Sequence, residues 1–169
     1  MSKRNPSVKK KVKIDWESFQ NDKPLFITVR KILKIVTKYE GIGIASLVSE
    51  NRADGLLKDK MSLAALNVFL AVEAGRAEGA FIRANGLRKS KYAEFFIKIK
   101  EEAENEGSKI TDSTTANKAE MKCKKFRIRE AKAQELSLIL SNVMFRANKL
   151  VDSLETAIQS LEAERRRTE

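Results

Sequence analysis

Apolar residues in the C-terminal third of the chain recur at a helical spacing that holds for over three heptads. From Leu136 to Leu161 the apolar positions step alternately by four and three residues. This spacing keeps one face of an α-helix apolar. No glycine or proline occurs between residues 114 and 165, so we predict one long helix there, with Asp112 or Ser113 as its N-cap. Its apolar seam comprises Leu136, Leu140, Val143, Ala147, Leu150, Leu154, Ala157 and Leu161.

A second apolar row lies beside this seam and widens it. Met144, Val151 and Ile158 are seven residues apart, which adds one position per heptad to the apolar face. A face of this width is typical of a helical bundle or a higher oligomer rather than of a two-stranded coil. We therefore expect the seam to join subunits into a homo-oligomer, through Leu136, Leu140, Val143, Leu150, Leu154 and Leu161.

The first predicted helix begins near residue 22. Asn21 or Asp22 is its candidate cap, and Pro24 suits its first turn. Gly41 and Gly43 either bend this helix or end it, and the sequence leaves both alternatives open. Its apolar positions recur at helical spacing and are Phe26, Val29, Leu33 and Val36.

Two dipeptides mark predicted helix ends further along. Asp54-Gly55 is a candidate stop, and Asn85-Gly86 predicts a stop or a sharp turn. One predicted helix begins at Ser62, between the two dipeptides, and another runs from about Lys89 to Glu104, after the second dipeptide. The earlier helix is expected to turn inward Leu66, Phe69, Leu70, Ala74, Ala77 and Phe81, and the later one Tyr92, Phe95, Phe96 and Ile99.

These patterns predict an all-α fold, because the alternation typical of strands occurs only in brief apolar runs. We expect an elongated helical bundle with one long C-terminal helix that carries the heptad seam, formed by residues 14–169 as a single domain. Residues 1–13 hold six positive and no negative charges, which is typical of a disordered basic arm. Trp16 and Phe19 are one helical turn apart. They are expected to anchor the N-terminus on the core, with base stacking as the alternative.

The composition excludes most catalytic chemistry. Histidine is absent and Cys123 is the single cysteine, so a His-based nucleophile, a His metal site and an intramolecular disulfide are impossible. The sequence also lacks glycine-rich phosphate loops and the CxxC and HExxH motifs. We expect a protein that is not an enzyme and holds neither a cofactor nor a metal. The lysines around Cys123 are expected to lower the pKa of its thiol, which we interpret as incidental.

The charge points instead to a polyanionic partner. The net charge is +11, from 34 basic and 23 acidic residues, and nucleic acid is the commonest partner of such a chain. Two clusters are candidate phosphate contacts, one around the Asn85-Gly86 dipeptide near Phe81 and Tyr92, the other between residues 118 and 132. For the second cluster a solvated face is the alternative. The candidates are Arg76, Arg83, Arg88, Lys89 and Lys91 in the first cluster, and Lys122, Lys124, Lys125, Arg127 and Arg129 in the second.

The layout of residues 62–165 resembles that of the UvsY-like recombination mediators of phages. An Ala- and Arg-rich helix from Glu73 to Gly86 ends in a predicted turn, a polar segment follows, and one long helix closes the chain at Arg165. The resemblance implies a ring-forming oligomer that binds single-stranded DNA without sequence preference. It also implies a recombinase and a single-strand binding protein as partners. The candidate contacts above come from the charge pattern and not from the resemblance.

Two functions therefore stand as hypotheses. The first is non-catalytic binding of single-stranded nucleic acid by a homo-oligomer that loads a recombinase on coated strands. The alternative is a structural or scaffolding helical protein of a virion or nucleoprotein assembly. No apolar stretch reaches the roughly 20 residues that a membrane span needs, and no signal peptide is evident. We therefore expect no membrane partner and a cytoplasmic location, in the host cytoplasm if the protein is encoded by a phage.

Overall fold

The computed structural model describes residues 22–43, 46–48 and 53–168. The described part is all-α, as the sequence predicted, and contains no strand. The predicted basic arm at residues 1–13, the pair Trp16 and Phe19, and the candidate cap Asn21 lie outside the described residues. The helices are α1 (Lys23–Tyr39), α2 (Ala53–Asn105), α3 (Asp112–Lys122) and α4 (Lys124–Thr168), with a short helical segment at residues 46–48.

Helix α1 begins as its sequence predicts and ends at its glycines. The Asp22 carboxylate accepts a hydrogen bond of 3.1 Å from the Leu25 amide, and a proline stands in the first turn. Gly41 has a φ of +85°, a conformation that closes a helix and that a side chain disfavours. This glycine therefore ends the helix and does not bend it. The buried face comprises Leu25, Val29, Ile32, Val36 and Tyr39, while Phe26 and Leu33 are half-buried.

Helix α2 is one uninterrupted helix of 53 residues, about 80 Å long at 1.5 Å per residue. Both predicted stops are wrong: Asp54-Gly55 lies in its first turn and Asn85-Gly86 near its middle. A mid-helix glycine costs only about 1 kcal/mol relative to alanine. Packing on both sides of Gly86 offsets this cost, because Ala84 is buried and Arg88 contacts the opposite helix.

A glycine turn reverses the chain after α2. The Ser108 amide donates to the Ala103 carbonyl at 2.9 Å and the Gly107 amide to the Glu104 carbonyl at 3.1 Å. With φ at +62° for Gly107, this is a Schellman motif. Helix α3 is then capped by Thr111, whose hydroxyl accepts from the Thr114 amide, and not by the predicted Asp112 or Ser113.

The predicted long C-terminal helix is present, with one irregular residue. Cys123 separates α3 from α4, yet its amide donates to the Ala119 carbonyl and its carbonyl accepts from the Arg127 amide, both at 3.0 Å. The backbone ladder therefore continues through the junction, and α3 and α4 return along α2 as one path.

That path runs antiparallel to α2. Lys60 pairs with Glu155, Asn67 donates to Asn148, and Arg88 pairs with Glu130. From one pair to the next the residue number on α2 rises while that of its partner falls, which fixes the register of a long antiparallel helical hairpin. Helix α1 lies against one end of it, where Lys38 and Tyr39 bond Asp59 and Glu40 pairs with Arg146.

We call the end of the hairpin against which α1 packs the three-helix end. The predicted heptad seam is part of its core. Leu140 and Leu154 are fully buried and Val143 is 3% exposed, while Leu136, Leu150 and Leu161 pack against the same core. The structure thus buries inside one chain the residues expected to join subunits, because α1 and α2 cover them. On α2, Leu70, Ala74 and Ala77 face inward as predicted; Leu66 and Phe81 are half-buried and Phe69 is 38% exposed.

Candidate nucleic-acid interface

Beyond the three-helix end, two helices continue alone. We call this part the two-helix arm and define it as residues 78–105 of α2 with residues 112–135 of α3 and α4. Its interior is narrow because small residues fill it. They are Ala84, Ala103, Thr115, Ala119 and Cys123, together with Ile99 and the ring pair Phe95 and Phe126, whose centroids are 6.5 Å apart.

One predicted phosphate contact is part of that interior. Arg88 Nε lies 2.5 Å from Glu130 Oε2, and the two side chains are only 23% and 17% exposed. A cation held against a carboxylate in a helix interface is already neutralised. The structure therefore places Arg88 in the packing of the arm, paired with Glu130, and its contact with phosphate stays a prediction.

The other candidates on α2 differ in their partners. Arg76 pairs with Glu73 on the surface, and Lys91 pairs with Glu94 at 2.6 Å. Hydrogen bonds from Lys91 and Lys98 hold the pKa of the Glu94 carboxyl below its ordinary value. Within the described residues, the exposed Arg83 and Lys89 have no carboxylate partner. They are the cations of this cluster that remain open to an external anion.

The second basic cluster is organised into one face. Lys122, Lys125 and Arg129 are exposed and step by three and four residues, which places them on one side of the helix. The same spacing adds an exposed lysine at each end. We call these five residues the cation stripe: Lys118, Lys122, Lys125, Arg129 and Lys132.

The ends of the cation stripe were not among the predicted contacts. Lys118 and Lys132 lie in the basic run, and their spacing of four and three from their neighbours was the signal that identifies them. Lys124 and Arg127, which were predicted, are exposed on the adjacent side of the helix, and Arg127 contacts Glu120 at 3.4 Å. Among the described residues, no carboxylate pairs with any member of the stripe.

The hairpin brings the two basic clusters side by side. Because Arg88 faces Glu130, residues 83–98 of α2 run along residues 118–132 of the returning path. Together these segments hold twelve basic and three acidic residues, and each acid already contacts a cation of the arm. The three contacts are Glu94 with Lys91 and Lys98, Glu120 with Arg127, and Glu130 with Arg88. The middle of the arm therefore carries a large excess of positive charge.

Aromatic side chains lie beside these basic residues, and each of them is partly buried in the arm. Tyr92 and Phe96 are half-buried with ring centroids 6.1 Å apart, and the Lys100 ammonium lies 5.2 Å from the Phe96 centroid. Phe81 is half-buried as well. Tyr92 lies within residues 83–98 and is half-buried, so a base could contact the part that is exposed.

Cys123 has the opposite character to the one expected. Its side chain is fully buried at the junction of α3 and α4. Burial, assisted by Glu120, raises the pKa of the Cys123 thiol, and this outweighs the opposing effect of Arg88 and Arg127. The nearby lysines point outward, so the predicted lowering of the pKa is wrong.

Among residues 22–43, 46–48 and 53–168, no group of three or more cysteine or acidic side chains is arranged to hold a metal ion. Likewise, none of the described helices is both long and apolar enough to cross a membrane.

Comparison of the chain with protein-family models, with curated proteins and with solved structures finds no match. The geometry of the arm therefore carries the functional argument.

Proposed function

We propose that the protein binds single-stranded nucleic acid, without chemistry of its own, through the middle of the two-helix arm. The observation that supports this most directly is the juxtaposition of two basic clusters that lie about forty residues apart in sequence. A folded chain gains nothing from such crowding, since like charges repel each other. A polyanion lying on the surface relieves that repulsion and releases its own counterions.

The cation stripe suits a phosphate backbone better than it suits bases. Its members lie on one flank of a helix and have no carboxylate partner among the described residues. Contacts of this kind carry no sequence information. We therefore propose binding that is indifferent to sequence and strongly dependent on salt, with the exposed part of Tyr92 favouring an unpaired strand, whose bases are free to stack.

Loading of a recombinase onto coated single strands is the finer form of this proposal, and it rests on the resemblance to UvsY-like mediators alone. The charge of the arm supports nucleic-acid binding and says nothing about a protein partner. The loading step is therefore tested separately, by measuring whether the chain promotes assembly of a recombinase on a strand coated by single-strand binding protein.

The first experiment measures binding of the purified chain to a fluorescent single-stranded DNA oligomer and to duplex of equal length across a salt titration. The proposal predicts tighter binding of the single strand, weakening steeply as salt rises. Equal affinity for both forms would contradict the single-strand preference. If neither form binds at low salt, the nucleic-acid proposal is wrong, and a structural protein of a larger assembly becomes the better account.

A further inference from the structure

Helix α2 carries a second heptad series on its outer side. Starting at Met61, apolar residues and glycines step by four and three through Val68 and Val72 to Ile82 and Gly86. We call this series the outer seam. It consists of Met61, Ala65, Val68, Val72, Gly75, Gly79, Ile82 and Gly86, none of which is charged.

The outer seam faces away from the core. The buried positions Leu56, Leu63 and Leu70 also repeat every seven residues, each five residues before a member of the seam. Five residues rotate about 140° around a helix of 3.6 residues per turn, so the two series lie on nearly opposite sides of α2. None of the described helices covers the outer one.

The large apolar side chains of this seam are mostly exposed to solvent. Val68 is 71% exposed, Met61 65%, Ile82 61% and Val72 51%. Met61, Val68 and Val72 follow one another along the seam. Ile82 continues it beyond Gly75 and Gly79, where the guanidinium of Arg83 lies 3.3 Å from the position of a Cβ atom at Gly79. Exposed apolar residues aligned in this way mark an interaction surface, whereas scattered ones do not. The strict heptad spacing further indicates that the partner is another α-helix.

We propose that the outer seam pairs in parallel with the outer seam of a second copy of this chain. In a parallel pair each seam residue meets its own counterpart, so the surface is self-complementary. Glu78 and Arg83 flank the seam on opposite sides, five residues apart, which is the spacing of interchain ion pairs in parallel coiled coils. Within the described residues neither has a partner in its own chain, so two such pairs would form per dimer.

The opposite orientation lacks this complementarity. In an antiparallel pair each flank meets the same flank of the partner. The flank that carries Arg83 also carries Arg76, one heptad earlier, and no acidic residue stands between them on that side. Antiparallel pairing would therefore set arginine against arginine or against an apolar residue, which favours the parallel arrangement.

The glycines of the seam are consistent with close approach of a partner helix. A Cβ atom added at Gly75 or Gly86 would meet nothing within 4 Å, so no packing within the chain requires glycine there. Glycine in a helix interior is unfavourable relative to alanine. A second backbone approaching at these positions gives them a role.

The proposed dimer is tested by sedimentation velocity of the full chain over a concentration series. The proposal predicts a concentration-dependent dimer, with its dissociation constant raised about 100-fold or more in Val68→Glu, because the pair would then bury two unpaired carboxylates. Phe145→Glu on α4 is the matched control, since Phe145 is 68% exposed and lies off the seam. Helical circular dichroism and melting temperature check that both variants remain folded.

Two further measurements test the orientation. Glu78→Arg and Arg83→Glu should each weaken the dimer, and the double variant should restore it. Ile82→Cys, in a chain that also carries Cys123→Ala, should form an interchain disulfide on oxidation. Parallel pairing places residue 82 beside itself, whereas antiparallel pairing of the full seam places it beside residue 65, about 25 Å from its own counterpart at 1.5 Å per residue, beyond the reach of a disulfide.

A wild-type chain that stays monomeric at all concentrations would overturn the proposal, as would an equal effect of Phe145→Glu. A dimer that neither crosslinks through Ile82→Cys nor recovers in the double variant would overturn the parallel orientation. The dimer does not depend on the proposed nucleic-acid function, although within the dimer Arg83 would pair with Glu78 of the second copy and would no longer be open to phosphate. If Val68→Glu becomes monomeric and still binds single-stranded DNA, the two are separate properties of the chain; if wild type dimerises without binding DNA, only the dimer stands.

Discussion

Arg88 and Glu130 form an ion pair across the interior of the two-helix arm, 42 residues apart in the chain and both largely buried. The pair does more than neutralise two charges. It is a charged contact within an otherwise small and largely apolar interface, and it forms in only one register of the two helices. Such a pair is weak evidence for stability but an effective device for fixing alignment.

We therefore expect Arg88→Ala to destabilise the protein by about 2–3 kcal/mol, because it leaves Glu130 without a partner in a largely buried position. The measurement is urea unfolding followed by circular dichroism. Arg76→Ala is the control, since its ion pair with Glu73 leaves Arg76 71% exposed and should contribute at most about 0.5 kcal/mol. Equal effects of the two variants would show that the Arg88 pair does not hold the arm together.

Neutralising the cation stripe should weaken nucleic-acid binding in proportion to the charges removed. In the triple variant Lys122→Gln, Lys125→Gln and Arg129→Gln, we expect the slope of log affinity against log salt to fall by about 0.7 per residue changed. Single-strand binding measured by fluorescence anisotropy at several salt concentrations gives this slope.

A control with the same change in net charge is available at the three-helix end. Lys31, Lys34 and Lys58 are exposed there, and their replacement by glutamine should leave the slope nearly unchanged. If both triple variants lower the slope equally, the chain binds through its overall charge and the stripe is not a site.

Asp59 should make the three-helix end sensitive to acid. Burial would raise the pKa of its carboxyl, but hydrogen bonds from Lys38 and Tyr39 outweigh burial and lower the pKa below 3.8. A carboxyl with a lowered pKa stabilises the fold above its unfolded pKa, and that contribution is lost as the pH falls through the folded pKa.

The matching variant is Asp59→Asn. Because the substitution removes a charged acceptor that two side chains share, we expect the free energy of unfolding to fall by about 1–2 kcal/mol at pH 7. The difference in this free energy between the variant and wild type should close below pH 3.8. Asp152→Asn, an exposed position on α4, should cause little change at either pH. If the difference in free energy of unfolding between Asp59→Asn and wild type persists unchanged in acid, the ionised carboxylate is not the source of the stability.

Gly86 tests the continuity of α2 directly. Its backbone is helical and an added Cβ meets nothing, so Gly86→Ala should stabilise the chain by about 0.5–1 kcal/mol. Gly107 in the same arm has a φ of +62°, and Gly107→Ala should cost about 1 kcal/mol or more. Thermal unfolding at low protein concentration compares them. Destabilisation by Gly86→Ala would indicate a turn at this position in solution.

The helical content could be predicted from the sequence because it depends on local signals. The cap at Asp22, the seam from Leu136 to Leu161 and the absence of strands from the described residues all follow from short-range spacing. The continuity of α2 through Asn85-Gly86 could not, because local propensity there favours a turn, and only packing against a helix distant in sequence overrides it. Such a contact has no signature within a window of a few residues.

The candidate site was predicted in composition but not in arrangement. The sequence identified basic runs, and most of their members are exposed on the arm. It did not distinguish Arg88, which is neutralised by Glu130, from Lys89, which is not, because that distinction depends on the register of the hairpin. The outer seam of α2 was also missed, since the inner face was assigned to residues that include the partly exposed Phe69.

The cation stripe also has a fixed length. Its five residues extend from Lys118 to Lys132 along nearly continuous helix, a distance of about 21 Å at 1.5 Å per residue. At the phosphate spacing of one strand of duplex DNA, about 3.4 Å, at most about six phosphates face the stripe, and fewer do so where a single strand is extended. A rigid helix cannot extend to follow a longer strand, so each chain has a bounded footprint on nucleic acid. A strand longer than this footprint would have to be divided among several chains, whatever its sequence.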